Sequence, residues 1–309
     1  MSPESTQKRE SPFIWLFLLA AINIGGPFLP IPNVPTAVFG GLVLTPLYVA
    51  AVVLLGLSIA RMRLSHFTAS AYLAICALLW ASVEYGIWPY VRRGLRAIRE
   101  WGGEATTSQQ LLFFGTTTLQ DLAMVCGACF AGTILAKLIR HANMIGPIGA
   151  AIALIDIWGV LFGGIVSQML ENKATQPLAE KAMAAGPKIG AAGAGVGKPG
   201  FSLEIPSIGV GDFLFIALLL SVLVNLSMNW KTSARLMWMF VTAALLAITF
   251  LPWFPHLPGL LFIAAGAVLP NWGFFKFTRE ESFALLYAGI FVVILTIGLY
   301  FGFQFVLPN

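Results

Sequence analysis

A chain of 309 residues has room for two soluble domains, but 58% of it is apolar or aromatic, only 10% is charged, and the mean hydropathy is +0.86. So few charges cannot coat soluble domains, which excludes that class and disordered acidic tails and leaves a polytopic membrane chain as the expectation. The net charge of +5, from 18 Lys and Arg against 13 Asp and Glu, reads as loop charge beside anionic lipid, and no basic stripe with interleaved aromatic residues points to nucleic acid.

A helix needs about 20 apolar residues to cross the hydrocarbon of a bilayer. In chain order the apolar runs predict nine spans: Phe13 to Pro30, Val34 to Ala60, Phe67 to Tyr90, Leu111 to Lys137, Met144 to Leu170, Ile208 to Met228, Leu236 to Pro252, Pro258 to Asn271 and Phe283 to Leu307. The expected fold is therefore all-α, a transmembrane helix bundle in which 1–309 form a single membrane-embedded domain. Residues 1–143 carry the N-terminal spans, 144–170 and 208–228 form a helix pair joined by a flexible loop at 171–207, and 229–309 carry the C-terminal spans. The first run lacks a convincing cleavage site and reads as an uncleaved signal anchor. The Pro258 to Asn271 run is short and bounded by prolines, which suits a thin, tilted or re-entrant helix.

Two hydrophilic stretches interrupt the spans. Val91 to Gln110 carries Arg92, Arg93, Arg96 and Arg99 at a spacing that suits a short helix lying on the headgroups. Glu171 to Pro206 holds six Gly and eight Ala among 36 residues and reads as a linker. Its Gly193 to Lys198 run resembles a phosphate loop only superficially, because Ala192 stands where the first glycine is needed and Pro199 follows the lysine. A slight excess of Lys and Arg on one set of loops favours a cytoplasmic N-terminus. Cys76, Cys126 and Cys129 all lie in apolar runs, so Cys126-Gly-Ala-Cys129 reads as helix packing rather than a redox or metal pair.

All three aspartates, Asp121, Asp156 and Asp212, sit inside apolar runs, where an ionised carboxylate costs at least about 2.5 kcal/mol on insertion scales. No lysine or arginine lies deep in any span, so these acids are expected to face one another or neutral polar groups. Asp121 follows Thr116, Thr117, Thr118 and Gln120, whose hydroxyls and amide are its expected partners. Glu84, near a span end, is expected to reach the interface by snorkelling. Asp156 and Asp212 lie on consecutive spans and can meet across a helix pair. Two carboxyls in one low-dielectric site cannot both ionise easily, so one is held protonated and the other charged, the arrangement that activates water against an amide. An acid pair that merely bonds helix to helix, or an ion site, is the alternative.

Gly209-Val-Gly211-Asp212-Phe resembles the Gly-x-Gly-Asp signature of the presenilin and signal peptide peptidase family of intramembrane aspartyl proteases. Asp156, one span earlier, matches the family's first catalytic aspartate, and Pro258-Gly259-Leu260 resembles its Pro-Ala-Leu element two spans after Asp212. The match covers roughly Met144 to Pro270 in a divergent, prokaryote-like form. Ile155 replaces the usual tyrosine, Gly259 replaces alanine, and the span count before Asp156 is one short. The resemblance implies Asp156 and Asp212 as catalytic residues, with Gly209, Gly211, Pro258, Gly259 and Leu260 lining the substrate cleft. It further implies hydrolysis of single-span membrane proteins or signal peptides in a prokaryotic cell membrane, with no metal, cofactor or obligatory partner subunit. Phe201 to Pro206, apolar at alternate positions, suits an extended edge to which an unwound substrate could add as a strand, with Leu203 in that edge. A prepilin-peptidase-like enzyme shares Gly-x-Gly-Asp but would carry a lysine soon after it and a Cys-x-x-Cys pair. A proton-coupled transporter would show related halves, and no internal repeat is seen.

Overall fold

The computed structural model describes residues 11–100, 106–157, 159–160, 176, 181, 183–190, 202–251 and 257–280, with scattered positions from 282 to 298. Most of the expected Phe283 to Leu307 span, the second half of the Met144 to Leu170 span, Gly193 to Lys198, Phe201 and His256 lie outside the described residues.

The described chain is mostly helical. In order come α1 (Pro12–Gly25), α2 (Val34–Arg61), α3 (His66–Ala81), α4 (Trp88–Glu100), α5 (Thr107–Ala136), α6 (Ile145–Ile157), α7 (Val210–Asn225), α8 (Trp230–Phe250) and α9 (Gly259–Val268). Among the described residues, four helices are long and apolar enough to cross a membrane: Val34–Arg61, His66–Gly94, Thr107–Ala136 and Trp230–Phe250. Their beginnings are written locally. Asn33 accepts the Thr36 N–H at 3.0 Å, Ser65 accepts that of Thr68 at 3.1 Å, and Thr106 and Gln109 form a capping box. Outward faces carry large apolar side chains, with Phe13, Phe17, Phe67, Ile75 and Leu78 each more than half exposed.

Helix α7 is the hub, packed by α2, α5, α8 and α9. From Phe213 to Leu220 it is apolar on every face, and a helix of that kind belongs in an interior. Phe213, Ala217, Leu219, Leu220, Val222 and Leu223 are fully buried. Its contact with α5 is backbone to backbone, because a Cβ on Gly132 would stand 2.3 Å from the Leu214 carbonyl oxygen.

Two expectations are corrected. The arginine-bearing stretch is not a separate surface helix: a π-helical turn at Ser82–Ile87 joins α3 to α4, so Arg92, Arg93 and Arg96 extend the same helical run. The 171–207 connection is not a plain flexible loop either. Its β2 (Lys188–Ile189) pairs antiparallel with its β3 (Leu203–Glu204), and its β1 (Met183–Ala184) pairs antiparallel with β4 (Ile208–Gly209), just beyond it where the helix was expected to start. Both pairs keep the same register, so 183–190 and 202–209 make one two-stranded ribbon interrupted at 185–187 and 205–207. The interruption has a cause, since Pro187 and Pro206 have no N–H to give a ladder.

The ribbon is seated on the N-terminal helices. Gly190 N–H donates to the Gly26 carbonyl at 3.1 Å, and a Cβ on Gly26 would stand 2.7 Å from the Lys188 carbonyl oxygen. Leu203 packs over Gly41, where an added Cβ would lie 2.6 Å from its side chain. Lys188 and Glu204 form an ion pair across the ribbon.

Candidate active site

Three elements deliver the residues. Asp156 stands near the end of α6, Asp212 is the third residue of α7, and Pro258-Gly259-Leu260 opens α9. The first N–H groups of a helix have no partner within it, and the start of α9 finds one in Asp156. Leu260 N–H donates to Asp156 Oδ2 at 2.7 Å, with the Leu261 backbone close by. A negative charge at this end of a helix is favoured by the peptide dipoles as well.

Asp212 approaches the same element from α7. A Cβ built on Gly259 would lie 3.2 Å from Asp212 Oδ1 and 3.4 Å from Oδ2, so the carboxyl rests against the glycine backbone. Gly209, the residue before α7, lies beside the same carboxyl, where an added Cβ would stand 3.6 Å from Asp212 Oδ2. Both acids are half-buried and close enough for the charge of one to act on the other. Beside Asp212 lies a cavity of about 100 Å³ bordered by Val49, Val52, Ser207, Leu245 and Leu257. An apolar groove of about 450 Å³ runs between α6 and α9 over small residues that include Gly149, Ala153, Ala264 and Ala265.

The structure thus brings Asp156, Asp212, Gly209, Pro258, Gly259 and Leu260 together. Gly211 makes no close approach at its α-carbon, and α7 is already helical at Val210. Leu203 belongs to the far end of the ribbon, paired with Ile189 and packed on α2. Among the described residues, no three His, Cys, Asp or Glu side chains gather as a metal site would require.

Sequence reasoning missed a second polar cluster. Glu84, expected to snorkel, is only 9% exposed. It pairs with Lys181 at 2.7 Å and accepts from Gln120 Nε2 at 2.9 Å. The threonines expected to serve Asp121 turn back on their own helix, Thr116 to the Leu112 carbonyl at 2.7 Å and Thr117 to that of Phe113 at 3.1 Å. Asp121 lies instead near the backbone of Ala185 in the ribbon. The available signal was an acid in an apolar helix together with a lysine-bearing connection long enough to reach it. Compared with protein-family models, with curated proteins and with solved structures, the chain matches none.

Proposed function

We propose that this chain is a multi-pass integral membrane protein of about nine spans, resident in a prokaryotic cell membrane, that hydrolyses peptide bonds of single-span membrane proteins or signal peptides. The observation that carries the reading is the convergence of Asp156 and Asp212 on Pro258-Gly259-Leu260, one carboxylate held by the Leu260 N–H and the other lying against Gly259. This joins the three elements in which the sequence resembles the presenilin and signal peptide peptidase family.

The chemistry follows from two carboxyls in one poorly solvated place. One is charged and takes a proton from water as the water oxygen bonds to the scissile carbonyl carbon. The other is protonated and gives its proton to the carbonyl oxygen, and on collapse the C–N bond breaks with a proton passing to the amine. Strand 202–209 runs directly into Asp212, so a substrate strand added along its outer edge would arrive beside the carboxyls. In that arrangement Leu203 contributes main chain to the edge, and its side chain anchors that edge on α2.

The test is cleavage of assorted single-span peptides by the purified chain in detergent. The wild type is expected to cut and both Asp156→Asn and Asp212→Asn to fail. Cleavage surviving in Asp212→Asn sinks the aspartyl reading. Proton-coupled uptake into vesicles without cleavage would replace it with a transporter.

A further inference from the structure

Helix α7 carries Asp212 in its first turn and ends at a second polar place, Asn225, about 20 Å away at 1.5 Å per residue. There the ends of α2, α5 and α7 enclose a cavity of about 290 Å³ bordered by Arg63, Thr133, Lys137, Ser221 and Asn225. Its polar groups are unequally satisfied. Thr133 gives its hydroxyl to the Phe130 carbonyl at 2.7 Å, and Lys137 gives one of its three N–H donors to the Leu64 carbonyl at 2.6 Å. Ser221 is only 2% exposed, and its hydroxyl has no partner among the described residues, whereas Ser58 on α2 turns its own back to the Leu54 carbonyl at 2.7 Å. A buried hydroxyl left unpaired is costly, so one on the wall of a polar cavity calls for a partner from within it.

Charge decides what kind of partner. Among the described residues no carboxylate pairs with Arg63 or Lys137. The stretches 61–65, 137–141 and 225–231 that meet at this end hold five Lys and Arg and no Asp or Glu, and Arg61 and Lys231 both lie over the Trp230 ring, at 5.2 and 5.3 Å. The carbonyl ends of three helices attract cations and account for part of that charge, but they leave the Ser221 hydroxyl unserved. Arg63 stands at φ 48°, a left-handed backbone that favours glycine, so an arginine is there against local preference. We propose that this cavity binds an anionic phosphate, that of a phospholipid headgroup or free phosphate, with Arg63 and Lys137 as its counter-charges and Ser221 and Asn225 as hydrogen-bond donors. Basic pockets between helices at a bilayer surface take headgroups in this way. The inference goes beyond the protease reading and does not depend on it.

The experiment uses the full-length chain in a neutral detergent and reads binding by native mass spectrometry, with dioleoyl phosphatidylglycerol, dioleoyl phosphatidylcholine and inorganic phosphate as the probes. Wild type should bind the glycerol lipid at least about tenfold more tightly than the choline lipid, whose ammonium would meet the two cations. Arg63→Gly should weaken phosphatidylglycerol binding about tenfold or more and Ser221→Ala about fivefold, the usual worth of a charged and a neutral hydrogen bond. Because glycine suits the backbone at 63, Arg63→Gly should unfold at no lower temperature than wild type in lipid-free detergent, which separates lost binding from lost folding. Arg140→Gln, at the same end but outside the cavity, should keep wild-type affinity within about twofold. Displacement of the lipid by millimolar inorganic phosphate makes the oxyanion alone the ligand, and failure to displace makes it the headgroup with its chains; either result upholds the site. Equal affinity for the two lipids overturns it, and so does undiminished binding in both Arg63→Gly and Ser221→Ala, or a loss in Arg140→Gln as large as that in Arg63→Gly.

Discussion

Two acid pairs sit in this helical framework, and they are built differently. At the α6, α7 and α9 junction, Asp156 and Asp212 meet main-chain groups and each other's field, with no cation beside them among the described residues. Glu84, on the π-helical turn after α3, has Lys181 and Gln120, and Asp121 on α5 lies near the Ala185 backbone and the Lys188 charge. An acid with dedicated partners, as Glu84 has, is held in place and serves as a fastener. Acids that share a site without a counterion remain free to trade a proton, which is what hydrolysis asks of them.

The contrast is tested most severely by neutralising each acid in turn. Asp156→Asn and Asp212→Asn should each lower kcat by about 10²- to 10⁴-fold, the usual worth of a positioned acid or base, with thermal stability little changed. Glu84→Gln should do the reverse, lowering the midpoint of thermal unfolding and sparing turnover per folded molecule. Equal turnover losses in all three would erase the distinction between site and fastener.

A pH series is the next sharpest. Cleavage should follow a bell, falling when both site carboxyls are protonated and again when both are ionised, and a rate flat in pH would remove the shared-proton picture. The fastener responds to pH elsewhere. Its bond to Glu84 raises the Lys181 pKa above the ordinary lysine value near about 10.4. A raised lysine stabilises the fold below its unfolded pKa and ceases to do so as pH climbs through its folded one, so the pair is fully in force at neutrality. Lys181→Met should therefore destabilise by about 1 to 2 kcal/mol at neutral pH, between exposed and buried pairs, and by progressively less above about pH 10, read from denaturation midpoints.

The smallest effect is expected at Gly259. A methyl group there would meet the Asp212 oxygens at 3.2 and 3.4 Å, a crowding relieved by a shift of a few tenths of an ångström. Gly259→Ala should cost less than about tenfold in kcat and leave stability alone, because misplacements near 1 Å are what cost about 10²-fold. A total loss would mean that the carboxyl cannot move at all.

How legible was this in the sequence? The run from Val34 announced α2 almost to its last residue, because Asn33 and Pro35 fix its start and the apolar stretch fixes its length. The acid pair was legible too, since consecutive apolar runs with one acid each leave few partners. Of the ribbon, one strand was: the alternation from Phe201 to Pro206 marks an extended edge, and Leu203–Glu204 is strand. Its partner over 183–190 was not, having no such alternation, and the pairing is held by register and by seats on Gly26, Gly40 and Gly41 far away in the chain. Nor was the run from α3 into α4, where a π-helical turn carries the helix from an apolar segment into an arginine-rich one and turns Glu84 inward.

The ribbon's interruption has a consequence for how such a chain can change its length. Three residues stand in the gap on each strand, and the register on either side agrees only because those numbers match. Adding one residue at 185–187 alone would flip every side chain on one side of the gap to the opposite face and shift the strand that leads to Asp212. An insertion beyond Gly190, before the chain returns at Ser202, would leave the register untouched. Descendants of this sequence can therefore drift freely in length between Gly190 and Ser202, while the two gaps are bound to lengthen or shorten together.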